Sequence, residues 1–267
     1  MADSSKGAKR PRAGVRRWIV AAAALAIILP VAGVAGWLLL SSSGESGPPR
    51  AAIVDQLSLT FPNQEFIDEA TSILTGAGFV VDYFPGEEVT VEFYRLLPDQ
   101  GYDMILLRAH SDRLVGEWQG EPVDETILFT SEPWDDDLYL DDRANKRLTS
   151  ARYFDGGDRF FGISPDFVED RMKGGFDGAL IIAMGCDATG SSRTAEAFIN
   201  KGASAFIGWN ELVSASHTDL ATETLLRHLV INDLPAQEAV SQTMTDVGPD
   251  PAYHSELHIF PAEASGS

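Results

Sequence analysis

The chain of 267 residues contains a single cysteine, Cys186, and few lysines. One cysteine cannot form an intrachain disulfide, and without a cysteine cluster a structural zinc site is not indicated. The sequence also lacks a Gly-x-Ser-x-Gly elbow and a Gly-x-Gly-x-x-Gly loop. Serine hydrolases and dinucleotide-dependent enzymes therefore lose support.

Basic residues are scarce from residue 50 onward, with 14 Lys and Arg against 38 Asp and Glu. This charge disfavours nucleic acid and anionic lipid, and favours cationic partners or solubility in salt. The acidic runs at 135–137 and 141–142 could bind calcium, but they lack the alternating ligands and central glycine of a calcium loop. We expect a solvated acidic face there and no cofactor.

One long apolar run, residues 18–40, carries no charge and follows a basic tail at residues 1–17. Its length is sufficient to span a bilayer, and the flanking positive charge should remain in the cytoplasm. We expect a single-pass anchor in the cell membrane, a Ser/Gly/Pro linker at 41–50 and an extracytoplasmic domain at 51–267. A cleaved signal peptide is the alternative, because residues 31–36 are mostly small.

Apolar runs alternate with amphipathic segments through the exported domain, a pattern typical of a parallel sheet with helical crossovers. Asn63 can cap one helix, and Ser164 with Pro165 can open another. From about 112 to 162 the pattern breaks into an irregular insertion with one hairpin strand. The predicted strands of the domain are 51–55, 79–83, 103–107, 178–183, 203–209 and an edge strand at 257–260.

Two of the predicted strands lead into residues suited to thiol catalysis. The strand at 103–107 runs toward His110, and the strand at 178–183 runs toward Cys186. Ligands of open α/β sheets bind at the carboxyl ends of the strands, where both residues would lie. A thiolate with a nearby base attacks carbonyl groups readily. We therefore predict a Cys–His dyad; the alternative is that Cys186 is a small buried hydrophobe.

Backbone donors near the cysteine would be needed for a developing oxyanion. The amide of Cys186, with that of Gly185 or Ser111, could supply them. A helix that begins near Ser191 would lower the pKa of Cys186 if its N-terminus points at the thiol. The other histidines are expected to be ordinary surface or capping residues.

Together these motifs resemble the caspase-like (clan CD) cysteine peptidases, especially CHAT domains and gingipains. The resemblance rests on the strand ending in His110, the strand ending in Gly185-Cys186, and the glycine-alanine strand at 202–209. It implies a three-layer α/β/α sandwich around a mostly parallel six-stranded sheet. It also implies that Cys186 is the nucleophile and His110 the general acid/base, with cleavage after a selected P1 residue. Family members usually have glycine directly after the histidine, where this chain has Ser111.

The resemblance further implies that Trp209 and Glu211 line the specificity pocket, and Glu211 would suit a basic P1 side chain. The predicted function is a membrane-anchored, outward-facing cysteine endopeptidase that acts on a polypeptide substrate. One alternative is a caspase-like module that has lost activity and serves in binding or sensing. A second is a thiol hydrolase or acyltransferase on a similar sheet. The sequence does not indicate an oligomeric state.

Overall fold

The computed structural model describes residues 47–261. Its strands are β1 (Arg50–Asp55), β2 (Val80–Pro85), β3 (Met104–Arg108), β4 (Ser111–Trp118), β5 (Glu121–Pro133), β6 (Leu148–Ala151), β7 (Phe160–Ile163), β8 (Leu180–Ala183), β9 (Ala205–Trp209) and β10 (Leu257–Phe260). Its α-helices are α1 (Gln64–Gly76), α2 (Val91–Leu96), α3 (Leu140–Ala144), α4 (Pro165–Arg171), α5 (Ser192–Asn200), α6 (Ala215–Leu226) and α7 (Ala236–Asp246).

The basic tail and the apolar run at 18–40 lie outside the described residues. Within residues 47–261, no helix combines the length and the apolar character needed to cross a membrane.

The main sheet has six strands in the order β10-β9-β8-β3-β1-β2, and all neighbours are parallel except β10 and β9. The predicted mostly parallel six-stranded sheet is therefore confirmed. Side chains alternate between its two faces, as strand geometry requires. Ile105 and Leu107 pack with α2, α4 and α5, whereas Met104 and Leu106 pack with α1, α6 and α7.

Local sequence signals set the helix boundaries that the fold needs. The Asn63 side chain accepts a hydrogen bond from the amide of Phe66 and caps α1. Ser164 caps α4, with Pro165 at the first helical position, where its missing N–H costs nothing. Gly202 has a φ of +101°, which lets the chain turn from α5 into β9. Both predicted helix starts are confirmed.

The insertion is regular, contrary to the prediction. Its strands form a second, antiparallel sheet in the order β4-β5-β7-β6. Sequence periodicity missed it because β4 is exposed at every position after Ser111, so it carries no apolar face. One face of this inserted sheet joins the main core through Leu128 and Phe161, and the other carries a small cluster that includes Ile127 and Phe129.

The strand order creates a crevice above β1 and β3. The chain leaves β1 toward β2 on one side and leaves β3 toward β8 on the other. Such reversal points are where open α/β sheets bind ligands, outside the carboxyl ends of the strands. The 3₁₀ segment Gln56–Leu59, directly after β1, and His110, directly after β3, both lie at this edge.

Candidate active site

The structure brings the predicted histidine and cysteine segments side by side. β3 and β8 are parallel neighbours with Leu107 opposite Ala183, and His110 and Cys186 each follow three residues later. The hydroxyl of Ser111 donates a hydrogen bond of 2.5 Å to the carbonyl oxygen of Cys186. The two strand ends are thus linked directly.

The imidazole of His110 is held by neighbours from three parts of the chain. Its Nε2 lies 2.9 Å from the hydroxyl oxygen of Thr60, and its backbone amide donates to the side-chain oxygen of Gln56 at 2.9 Å. The ring stacks on Tyr153, with 4.9 Å between ring centroids. Burial, aided by the charge of Arg108, lowers the pKa of His110 to about 4. At neutral pH the imidazole is therefore uncharged.

The thiol of Cys186 contacts the backbone of Val213. Its Sγ lies 3.7 Å from the carbonyl oxygen and 3.5 Å from the amide nitrogen of that residue. Burial raises the pKa of the Cys186 thiol, and the nearby charges of Asp187 and Asp112 raise it further. This direction is opposite to the one expected from a helix N-terminus near Ser191. The resting thiol is therefore protonated.

Within residues 47–261, no hydrogen bond joins the His110 imidazole to the Cys186 thiol. Both groups are neutral at rest and contact different partners. Catalytic hydrogen bonds often tighten only when substrate binds. The arrangement is thus a pair of adjacent neutral groups rather than a preformed ion pair.

The two residues predicted for the oxyanion hole, Gly185 and Ser111, lie close together. A Cβ atom at Gly185 would lie 2.2 Å from Ser111 Oγ and 2.4 Å from the carbonyl oxygen of Ala109, so only glycine fits. The amide of Phe129 donates to the carbonyl of His110 at 2.9 Å. Because backbone groups in an antiparallel ladder alternate in direction, the N–H of the next residue, Ser111, points away from β5. That amide remains available as a donor.

The two residues predicted to line the specificity pocket have different surroundings. Trp209 is 1% exposed in β9, and its indole nitrogen donates to the hydroxyl of Thr218 at 2.8 Å. Its side chain belongs to the core. Glu211 is exposed, and its carbonyl accepts a hydrogen bond from the amide of Asp187, next to the cysteine.

A fully buried arginine beneath the site was missed by the sequence reasoning. Arg108 forms ion pairs with Asp55 at 2.6 Å and with Asp219 at 2.8 Å, and also donates to the carbonyl of Phe61. It therefore ties β3 to the end of β1 and to α6. A charged residue at the end of an apolar strand was the available signal. The sequence carries no comparable signal for Thr60, because no local pattern marks it as a partner of His110.

The inserted sheet is hydrogen-bonded to the segment that follows Cys186. The hydroxyl of Thr126, in β5, donates to the carbonyl of Asp187 at 2.6 Å. Ser191 donates to the carbonyl of Asp124 at 2.6 Å, and the Thr194 hydroxyl bonds both the amide and the carbonyl of Thr126. These contacts fix the path of the chain from Cys186 into α5.

A cleft of about 300 Å³ lies on the outer face of the inserted sheet. It adjoins the histidine, because Phe129 lines it and also lies 6.0 Å from the His110 ring. The lining comes from β4, β5, β6 and the loop that follows β6: Asp112, Arg113, Leu114, Ile127, Phe129, Thr149, Ser150, Ala151, Arg152, Phe154 and Asp155.

Among the described residues, no group of three His, Cys, Asp or Glu side chains is arranged to hold a metal ion. Three residues of the acidic runs considered for calcium, Asp136, Asp141 and Asp142, are paired with arginines. Asp136 lies near Arg143 and Arg159, and Asp142 is paired with Arg171. These contacts explain the acidic runs as parts of ion-pair networks.

No protein-family model matches the chain, and no curated protein matches it. Among solved structures, the chain is similar to the crystal structure of protein GSU0716 from Geobacter sulfurreducens, with a TM-score of 0.38 and 11% identity. The match covers 79% of this chain and 93% of that one. At this level of likeness, neither fold nor function transfers from one protein to the other.

Proposed function

We propose that this chain is a cysteine endopeptidase in which Cys186 is the nucleophile and His110 the general acid/base. The observation that carries the proposal is the parallel pairing of β3 with β8, which ends in the Ser111–Cys186 hydrogen bond. The six-stranded sheet with helices on both faces agrees with the fold implied by the resemblance to caspase-like peptidases.

The reaction begins with transfer of the thiol proton from Cys186 to His110. When Nε2–H donates to the Thr60 hydroxyl, the other ring nitrogen, Nδ1, is the one that accepts this proton. The thiolate then forms a bond to the carbonyl carbon of the peptide, and the carbonyl electron pair moves to oxygen. The amides of Gly185 and Ser111 donate to that oxyanion.

Breakdown of this intermediate returns the electron pair and breaks the C–N bond, while the protonated imidazole gives its proton to the leaving amine. A thioester on Cys186 remains. Water attacks it, loses a proton to His110 and releases the carboxylic acid, and the sulfur recovers its proton. No further reactant is needed.

We also propose that residues 18–40 anchor the peptidase in the cell membrane and that the domain acts outside the cytoplasm. The support is the uncharged apolar run and the basic tail that precedes it.

One observation favours a second function, an inactive binding or sensing module. The imidazole is directed at Thr60 and the thiol at Val213, so the dyad is not assembled in this conformation. Such a module would keep the fold and use the crevice without chemistry.

The deciding experiment treats the purified, reduced full-length chain with peptidyl acyloxymethyl-ketone probes that carry Arg, Lys, Asp or Asn at P1. Cys186→Ala and His110→Ala are assayed in parallel. A peptidase gives labelling of Cys186, mapped by mass spectrometry, that depends on His110 and prefers one P1 residue. Slow labelling that is indifferent to His110 and to P1 supports the binding module. Labelling without hydrolysis of the matched peptide amide, but with turnover of its thioester, supports a hydrolase or acyltransferase instead.

A further inference from the structure

β4 has one edge that no other described strand covers. It is the first strand of the inserted sheet and pairs only with β5 among residues 47–261. The His110–Phe129 hydrogen bond fixes the alternation of its ladder, so the backbone groups of Arg113, Val115 and Glu117 point toward the free edge. The β5 side agrees: Thr126, opposite Arg113, directs its amide and carbonyl away from β4 to Thr194.

This edge begins at the proposed nucleophile. Ser111, the first residue of β4, is hydrogen-bonded to the Cys186 carbonyl, and its own amide also points to the free edge. A strand added alongside β4 would therefore end beside the backbone of Cys186. A free edge with that endpoint is suited to an extended peptide.

Side chains around the edge also suit a peptide. Val115 is 68% exposed. The cleft beside His110 lies against this strand, because Asp112 and Leu114 line it. Alternate side chains of an added strand would lie over that cleft.

Charge indicates the kind of peptide. Arg113 is neutralised by Asp124 through two hydrogen bonds of 2.7 Å. Within the described residues, Asp112 and Glu117 form no ion pair, so β4 presents unpaired negative charge. Basic side chains on the added strand would complement it.

We propose that the free edge of β4 binds an extended, basic segment of the polypeptide substrate as an added strand and leads it to Cys186. The inference rests on the proposed peptidase function. Main-chain hydrogen bonds supply the affinity in this mode, and pockets for alternate side chains supply the selectivity.

The test compares Val115→Pro with Val115→Thr in the full-length chain. Proline removes the outward N–H without breaking the β5 ladder, and threonine keeps that N–H on a β-branched side chain. Each variant is assayed with an octapeptide built around the P1 residue that the labelling probes select, and with its two-residue truncation. Val115→Pro should raise KM for the octapeptide by about fivefold, the worth of one hydrogen bond, and leave the short substrate unchanged. Val115→Thr should alter neither.

Equal effects of Val115→Pro on both substrates, or no effect on either, would overturn the inference while the peptidase itself remained active. If the short substrate is not cleaved at all, the proposed function fails. A peptide-binding measurement then tests separately whether the free edge of β4 binds an extended peptide. A fluorescein-labelled octapeptide of alternating Val and Lys is then titrated against the Cys186→Ala chain. Weaker binding after Val115→Pro supports the edge, and unchanged or undetectable binding overturns it. A dimer that Val115→Pro dissociates without changing peptide affinity would assign the edge to a second copy and also overturn it.

Discussion

The Ser111 hydroxyl bonds the carbonyl of Cys186, so the residue after the proposed base holds the backbone of the proposed nucleophile. Ser111 is only 6% exposed, and its loss would leave that carbonyl without this donor. Ser111→Ala should therefore lower the free energy of unfolding by about 1 kcal/mol, measured by urea titration. Ser150→Ala, at an exposed position of β6, is the control and should have no effect. Equal values for the two variants would remove this structural role from Ser111.

Gly185 occupies a space that admits no side chain. Gly185→Ala would place a methyl group against Ser111 Oγ and the Ala109 carbonyl. We expect a loss of stability of roughly 1–3 kcal/mol, seen as a lower urea midpoint, together with loss of probe labelling at Cys186. Gly116→Ala adds the same methyl group to β4, where no atom lies within 4 Å of it. This control should change neither the urea midpoint nor the probe labelling. A wild-type midpoint for Gly185→Ala would contradict the close approach of the two strand ends.

Arg108 compensates two buried carboxylates at once. Arg108→Met should destabilise the fold by roughly 3–5 kcal/mol, because it leaves Asp55 and Asp219 without their cation. Arg113→Met is the matched change in an exposed pair, whose side chains are 38% and 50% accessible, and should cost under about 1 kcal/mol. Denaturant unfolding of both variants measures the contrast. Similar costs would mean that the buried network contributes no more than a surface pair.

The burial of His110 makes stability depend on pH. Its pKa is about 4 in the folded protein and 6.5 ordinarily, so acid protonates the unfolded chain first. This contribution is complete above pH 6.5 and is lost as the pH falls toward 4. Between pH 7 and 5 the wild type should lose about 2 kcal/mol more than His110→Phe, which keeps an aromatic ring but cannot titrate. Parallel pH profiles of unfolding for the two proteins would contradict a buried neutral histidine.

The Thr60 hydroxyl is hydrogen-bonded to the His110 imidazole. In the proposed peptidase, Thr60→Val should lower kcat/KM about fivefold, the equivalent of one hydrogen bond, and Thr60→Ser should leave it unchanged. The pH dependence of kcat/KM separates orientation from simple loss of stability, because its acidic limb should shift only in the valine variant. Equal losses in the valine and serine variants would exclude this role.

Periodicity and strand-end reasoning predicted the main sheet and placed His110 and Cys186 just beyond the carboxyl ends of two of its strands. They succeeded because buried parallel strands are continuously apolar and the residues after them are polar. The inserted sheet was not predicted, because the exposed β4 has no alternation of apolar and polar residues. The contacts of Thr60 and Tyr153 with His110 were not predicted for another reason. Both residues are distant from His110 along the chain and meet it only in the folded protein.

The attachment of β5 to the segment after Cys186 constrains how the sequence of this chain can diverge. Thr126, Ser191 and Thr194 connect the inserted sheet to the residues that follow Cys186. A related protein that lost the inserted sheet would also lose the hydrogen-bonding partners of the residues that follow Cys186. We therefore expect relatives of this protein to keep or discard the two together, and to vary freely at the exposed Gln119–Gly120 turn.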